Sequence, residues 1–177
     1  MRTMRTYPEY RQNESILEVM RLPRGEERRV AWVGWLDVFY CADRNKREAM
    51  LAEGEPDKDG TVWDALLAGA VLWLSRKAEL TPPAWCLDTS RRLSTFYFGG
   101  VESRVLMQYQ FWTTPLQFRY FNLFCGLGFV DRASMPPEWR PEPCRWELEW
   151  AERRAAEREQ RRSAAFRENV SQNTTSE

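Results

Sequence analysis

Apolar residues recur at spacings of three and four through most of this chain, and stretches rich in glycine, proline and charge separate the runs. Residues 14–22 read as a short helix with Ile16, Leu17 and Met20 on one side, stopped before Pro23. Residues 25–42 form a stronger helical pattern, carried by Trp32, Trp35, Leu36, Phe39 and Tyr40, with Glu26 and Glu27 at the positive end of the helix dipole. Residues 43–51 continue as a separate polar helix. After the turn-rich residues 53–60, Thr61 stands in an N-cap position with Asp64 three residues on, as in a capping box. The helix that follows carries Trp63, Leu66, Leu67, Ala70, Val71, Leu74 and Ala78 on one stripe. Leu72 and Trp73 lie off it, so this helix is expected to be covered on more than one side.

Thr81-Pro82-Pro83 is expected to end that helix. Residues 87–93 read as a short helical turn capped by Asp88 or Thr89. Phe96-Tyr97-Phe98 reads as a very short strand or a packed loop, closed by Gly99-Gly100. Residues 101–112 are helical by pattern, through Val101, Val105, Leu106, Tyr109 and Trp112. A further helix is expected from a Thr113 or Thr114 cap, with Pro115 at its first position, offering Phe118, Phe121, Asn122 and Cys125 and stopping near Gly126. Residues 136–143 are a proline-rich break. Residues 145–167 read as a last helix with Glu149–Arg153 and Glu157–Arg161 pairs one turn apart.

These elements predict a mostly helical, all-α chain. Its organisation is an extended arm (1–13), a compact helical core domain (14–135) of about five to seven helices with a very short strand near 95–98, a proline break and charged helix (136–167), and a disordered tail (168–177). At 177 residues the chain is long enough to bury roughly 70% of its unfolded surface. Nine Trp, nine Phe and six Tyr supply ample core material.

Formal net charge is zero, from 26 basic and 26 acidic residues, which argues against a delocalised nucleic-acid footprint. The longest apolar stretch, residues 65–74, is half the length a membrane span needs, about 20 residues. The four cysteines (Cys41, Cys86, Cys125, Cys144) include no CxxC pair, and no targeting motif is visible, so reduced thiols and a cytoplasmic location are expected.

The chain contains no histidine, which excludes Ser-His-Asp and Cys-His nucleophile systems and every histidine-containing metal site. The only Lys near a Ser in sequence is Lys77, two residues from Ser75, and such a pair diverges on a helix. Glu53, Glu55, Asp57 and Asp59 are the densest carboxylates, in a polar loop that reads best as solvated; a metal-dependent enzyme using them is the remote alternative. Gly99-Gly100 and Gly126-Leu127-Gly128 lack the spacing of a phosphate loop. Arg24, Arg28 and Arg29 are the best phosphate-contact candidates. The arginines of 153–162 alternate with glutamates as on a self-neutralising exposed helix. Trp139, Trp146 and Trp150, next to Arg153, have the composition of interface anchors.

The order Trp63-Asp64-Ala65-Leu66-Leu67-Ala68, Pro83-Ala84-Trp85, Arg91-Arg92-Leu93, Phe96 and Phe98, Thr114-Pro115, Phe118-Arg119, Asn122-Leu123-Phe124 and Arg132-Ala133 resembles an uncharacterised small bacterial helical domain, over about residues 62–133. That domain occurs alone or behind a helix-turn-helix module. The resemblance implies an antitoxin-like or regulatory protein of a toxin–antitoxin, mobile-element or defence locus, and brings no catalytic residues. No helix-turn-helix pair is recognisable here. The expected function is therefore a non-enzymatic protein-interaction module without cofactor or metal. Its partner would be another protein, such as a cognate toxin, met through Trp139, Trp146, Trp150 and Arg153 together with an Arg119/Asn122 edge. The alternative is a DNA-binding regulator using Arg24, Arg28 and Arg29.

Overall fold

The computed structural model describes residues 15–140, 149 and 152–163. The chain divides into two units, Met1–Trp139 and Arg140–Glu177. In the first, the described elements are α1 (Ile16–Arg21), α2 (Glu26–Cys41), α3 (Arg44–Leu51), α4 (Val62–Lys77), two 3-10 turns (Ala84–Leu87 and Thr89–Arg91), α5 (Arg104–Thr113), α6 (Leu116–Arg119) and a last 3-10 turn, Pro137–Trp139. The fold is all-α. The expected strand reduces to a single parallel bridge between Tyr97 and Leu123. In the second unit residues 152–163 are helical and exposed.

Helix starts follow local chemistry. The side chains of Ser15, Asp43 and Thr61 accept from backbone N–H groups of the first turns of α1, α3 and α4. Asp64 does not close the expected capping box. The Thr61 N–H is taken by Asp59 Oδ1, so the Asp64 carboxylate reaches further back, to the N–H of Asp59 (3.1 Å) and of Gly60 (2.7 Å). The end of α4 comes before Thr81. Glu79 adopts a left-handed conformation (φ 55°), Leu80 N donates to Ser75 O and Glu79 N to Arg76 O. That is a Schellman closure, and the two prolines follow it.

Helix α4 is the centre of the core. Ala65, Leu67, Ala68, Ala70, Val71, Trp73 and Leu74 are all buried on it, more than one stripe accounts for. Helix α2 joins the same core through Trp32, Trp35, Leu36 and Phe39, and α6 with the turn after it adds Phe118 and Phe121. The α4–α6 approach needs Gly69, where a Cβ would lie 3.0 Å from Phe118 Cδ1 and 3.3 Å from its Cα. Because backbone is among the neighbours, Gly69→Ala is expected to lower stability by about 1–2 kcal/mol despite alanine's better helix propensity. A thermal melt checks this; an unchanged or raised Tm would mean the two helices separate without strain.

Several expectations are corrected here. Helix α6 has four residues and runs only to Arg119, with Pro115 as its N-cap residue. Thr114 does not cap α6 but is the C-cap residue of α5, and its buried hydroxyl accepts from Gly126 N at 2.9 Å. Asn122 at φ 62° turns the chain away, a conformation that asparagine tolerates better than most residues. Helix α5 starts at Arg104, three residues later than its pattern suggests. The first unit also reaches into the proline-rich break, as far as Trp139, which is buried.

Candidate partner-binding face

The residues expected to meet a partner or DNA fall into three groups. Trp139 is corrected from anchor to core: it is 8% exposed, packs edge-on against Tyr40 and Trp73, and carries the Arg47 guanidinium on its ring at 5.1 Å. Asn122 is likewise structural. It is buried, its Nδ2 donates to Leu93 O (2.6 Å) and its Oδ1 accepts from Arg92 (3.0 Å), pinning the 92–93 segment to the turn after α6. Arg153 lies exposed on the second unit's helix, with Nε directed at Glu149 O. Trp146 and Trp150 lie outside the described residues.

The arginines of the DNA-binding alternative are engaged within the fold. Arg28 is 4% exposed; it donates to Met20 O and Leu22 O and pairs with Asp59. Burial pushes the Asp59 carboxyl up, but hydrogen bonds from Thr61 and Arg28 outweigh it and hold the group below its ordinary range. Arg24 joins the same carboxylate at 3.3 Å, and Arg29 pairs with Glu26 at 2.6 Å. Arg24 and Arg29 remain largely exposed, but a phosphate would have to displace buried contacts to be met by Arg28.

The acidic loop is also committed to the fold. Glu53 accepts from Ile16 N, and Glu55 pairs with Arg91 at 3.0 Å. Arg91 is fully buried, stacks on Trp85 at 5.1 Å and faces Asp64 at 3.5 Å. Among the described residues no group of three or more Cys, Asp or Glu side chains is arranged to hold a metal ion.

One Ser-Lys pair forms that sequence proximity did not suggest. Lys58 Nζ reaches Ser90 Oγ at 2.6 Å and Asp88 Oδ2 at 2.5 Å, although the residues lie about thirty positions apart. Ser90 Oγ also donates to Asp88, so its proton points at a carboxylate, and Lys58 acts as a donor. Hydrogen bonds from Lys58 and Ser90 hold the exposed Asp88 carboxyl far below its ordinary range. The cluster pins a turn. Burial pushes the Cys86 and Cys125 thiols up to about 11, so both rest as neutral packing groups.

Helix α5 differs from the other helices of the first unit. None of its ten residues is buried. On one side it is held by Phe111, which stacks on Phe124 with centroids 5.1 Å apart, and by the Gln110 carboxamide nitrogen, which, oriented to donate, meets the carbonyls of Phe98 (2.9 Å) and Phe124 (2.8 Å). Arg119 fixes its C-terminal end by donating to Trp112 O at 2.7 Å and Thr114 O at 2.5 Å, with its guanidinium over the Phe111 ring. Arg119 is thus a bracket for α5. The opposite face is presented to solvent, where Val105 and Trp112 are each 74% exposed and Leu106 is 50% exposed. Just beyond, Leu116 is 68% exposed. Val105 and Trp112 are two turns apart on one side of the helix, with exposed Gln108 between them.

The sequence pattern placed Val105, Leu106 and Trp112 on a helix but not outside the core. Such residues are normally covered, and an exposed apolar cluster on a braced helix has the makings of a binding surface. No family model, curated protein or solved structure matches this chain. No helix among the described residues is long and apolar enough to cross a membrane.

Proposed function

We propose that this chain is a non-enzymatic, cytoplasmic protein-interaction module whose contact surface is the outward face of α5. The observation that carries this reading is Trp112, a large aromatic residue 74% exposed on a helix that is anchored from behind by Phe111, Gln110 and Arg119. Tryptophan is enriched among the residues that dominate binding energies, and a helix fixed in advance loses little entropy when it docks. Arg28, Asp59 and Glu55, considered for other activities, are tied into the fold by hydrogen bonds and ion pairs. The antitoxin-like role implied by the resemblance belongs to the same class: a partner is neutralised or regulated by being occupied.

The test is capture of the partner from the native host at low and high salt, with wild-type protein and Trp112→Glu. The wild type is expected to retain a stoichiometric protein at high salt, since apolar contacts are not screened. Trp112→Glu is expected to weaken that association by about 30-fold or more while leaving the melting temperature unchanged. A partner held equally well by the variant would overturn the assignment of the face. Nucleic acid recovered only at low salt would favour the DNA-binding alternative.

A further inference from the structure

We infer that the exposed helix of the second unit, residues 152–163, binds the phosphate backbone of double-stranded nucleic acid through a one-sided arginine stripe. This surface is separate from α5 and does not depend on the reading of α5 as a protein-binding face.

Along the sequence the arginines and glutamates of this segment alternate, but the helix sorts them onto different sides. At about 100° per residue, Arg154, Arg158, Arg161 and Arg162 fall within about 100° of arc. Glu152 and Glu159 lie on the opposite side, and Glu157 stands at the margin of the stripe. Five arginines against three glutamates leave a net charge of +2 on this helix, and all of its residues are exposed. Arg158 Nε donates to Arg154 O at 3.3 Å, and Arg153, outside the stripe, directs its Nε at Glu149 O. Arg154 has a further contact of its own. Among the described residues Arg158, Arg161 and Arg162 have no carboxylate partner. Like charges one turn apart, Arg154 with Arg158 and Arg158 with Arg162, weaken an isolated helix, and a polyanion laid along them removes that repulsion.

The shape of the charge selects the occupant. From Arg154 to Arg162 the stripe is a line of guanidinium groups about 12 Å long. A nucleic-acid strand is likewise a line of charge, with one phosphate per about 3.4 Å of duplex axis, so several phosphates fall within that span. Every cation of the stripe is an arginine, whose planar fork takes a phosphate through two hydrogen bonds. A helix that lies on a membrane surface needs an apolar face opposite its cations. Here that side carries Glu152, Ala156, Glu159 and Ser163. Contacts to phosphate fix position and carry no sequence information, so the binding is expected to be indifferent to base sequence.

Fluorescence anisotropy of a labelled DNA duplex of about 20 base pairs, titrated with the full chain, reads this directly. Micromolar binding is expected at about 50 mM salt, weakening about 40-fold by about 200 mM, as contact with three phosphates requires. A second duplex of unrelated sequence is expected to bind within about threefold. Arg158→Glu, Arg161→Glu and Arg162→Glu together are expected to lower the affinity about tenfold or more. The same three positions changed to Lys keep the charge and are expected to keep the binding and its salt dependence, which separates lost charge from a lost helix. Arg24→Ala with Arg29→Ala, and Trp112→Glu, are expected to bind as the wild type does, which separates this surface from the first-unit arginines and from α5. A wild type that does not bind the duplex at low salt overturns the inference, as does a triple glutamate variant that binds equally well, or an affinity that salt does not change.

Discussion

Asp64→Ala is expected to destabilise the protein by about 3–5 kcal/mol, a large share of the 5–15 kcal/mol typical of a domain. Asp64 is buried at the start of α4 and does two jobs. Its carboxylate accepts from the N–H groups of Asp59 and Gly60, and it faces the fully buried Arg91 guanidinium at 3.5 Å. Among the described residues Arg91 Nη1 has no hydrogen bond of its own, so the charge on Asp64 is what compensates it. Glu55 and Pro56 O hold the other end of the guanidinium, but Glu55 is half exposed and cannot replace a buried anion. Alanine would leave a buried cation poorly paired and two backbone donors unsatisfied. Asp64→Asn keeps an acceptor and removes the charge, and is expected to cost roughly half as much. Denaturant unfolding of both variants checks this; a loss under about 1 kcal/mol for Asp64→Ala would show that the network is dispensable.

Trp32→Ala is expected to cost about 3–5 kcal/mol and to lower the melting temperature by about 10 °C or more. Trp32 is 1% exposed and sits between Trp35 and Phe129, stacked on both at 5.2 and 4.9 Å. Its Nε1 donates to Phe129 O at 2.8 Å, a link across 97 positions, and Tyr40 makes a parallel tie to Val130 O at 2.6 Å. These contacts close the far end of the first unit onto α2. The alanine variant removes the stack and leaves the Phe129 carbonyl to find another donor. Trp32→Phe keeps most of the stack and isolates that hydrogen bond, which is worth about 1 kcal/mol. Calorimetry that finds the two variants equally stable would refute this division.

The parts of the fold that depend on neighbours in sequence were readable from it. Thr61 announces a helix start, and the α4 stripe announces a buried helix, because caps and periodicity act within a few residues. What depends on distant partners was not readable. Arg28 looks like a free surface arginine until Asp59, 31 positions away, folds against it. Trp139 looks like an anchor until Tyr40 and Trp73 cover it. Lys58 and Ser90 meet only because the loop before α4 lies along the 88–90 turn. The proposed binding face was half legible. Periodicity put Val105 and Trp112 on one side of α5, but a pattern of apolar positions cannot say whether that side is covered. The decision lies in Phe111, Gln110 and Arg119, which dock the helix by its other side.

The central claim is that the outward face of α5 is where this protein meets its partner. Amide hydrogen exchange of the full chain, free and in the complex it forms, tests it most directly. The account predicts that exchange across residues 104–113 slows about tenfold or more in the complex, with Trp112→Glu abolishing the protection. Protection that appears only in other segments, with 104–113 exchanging as it does in the free protein, would contradict it.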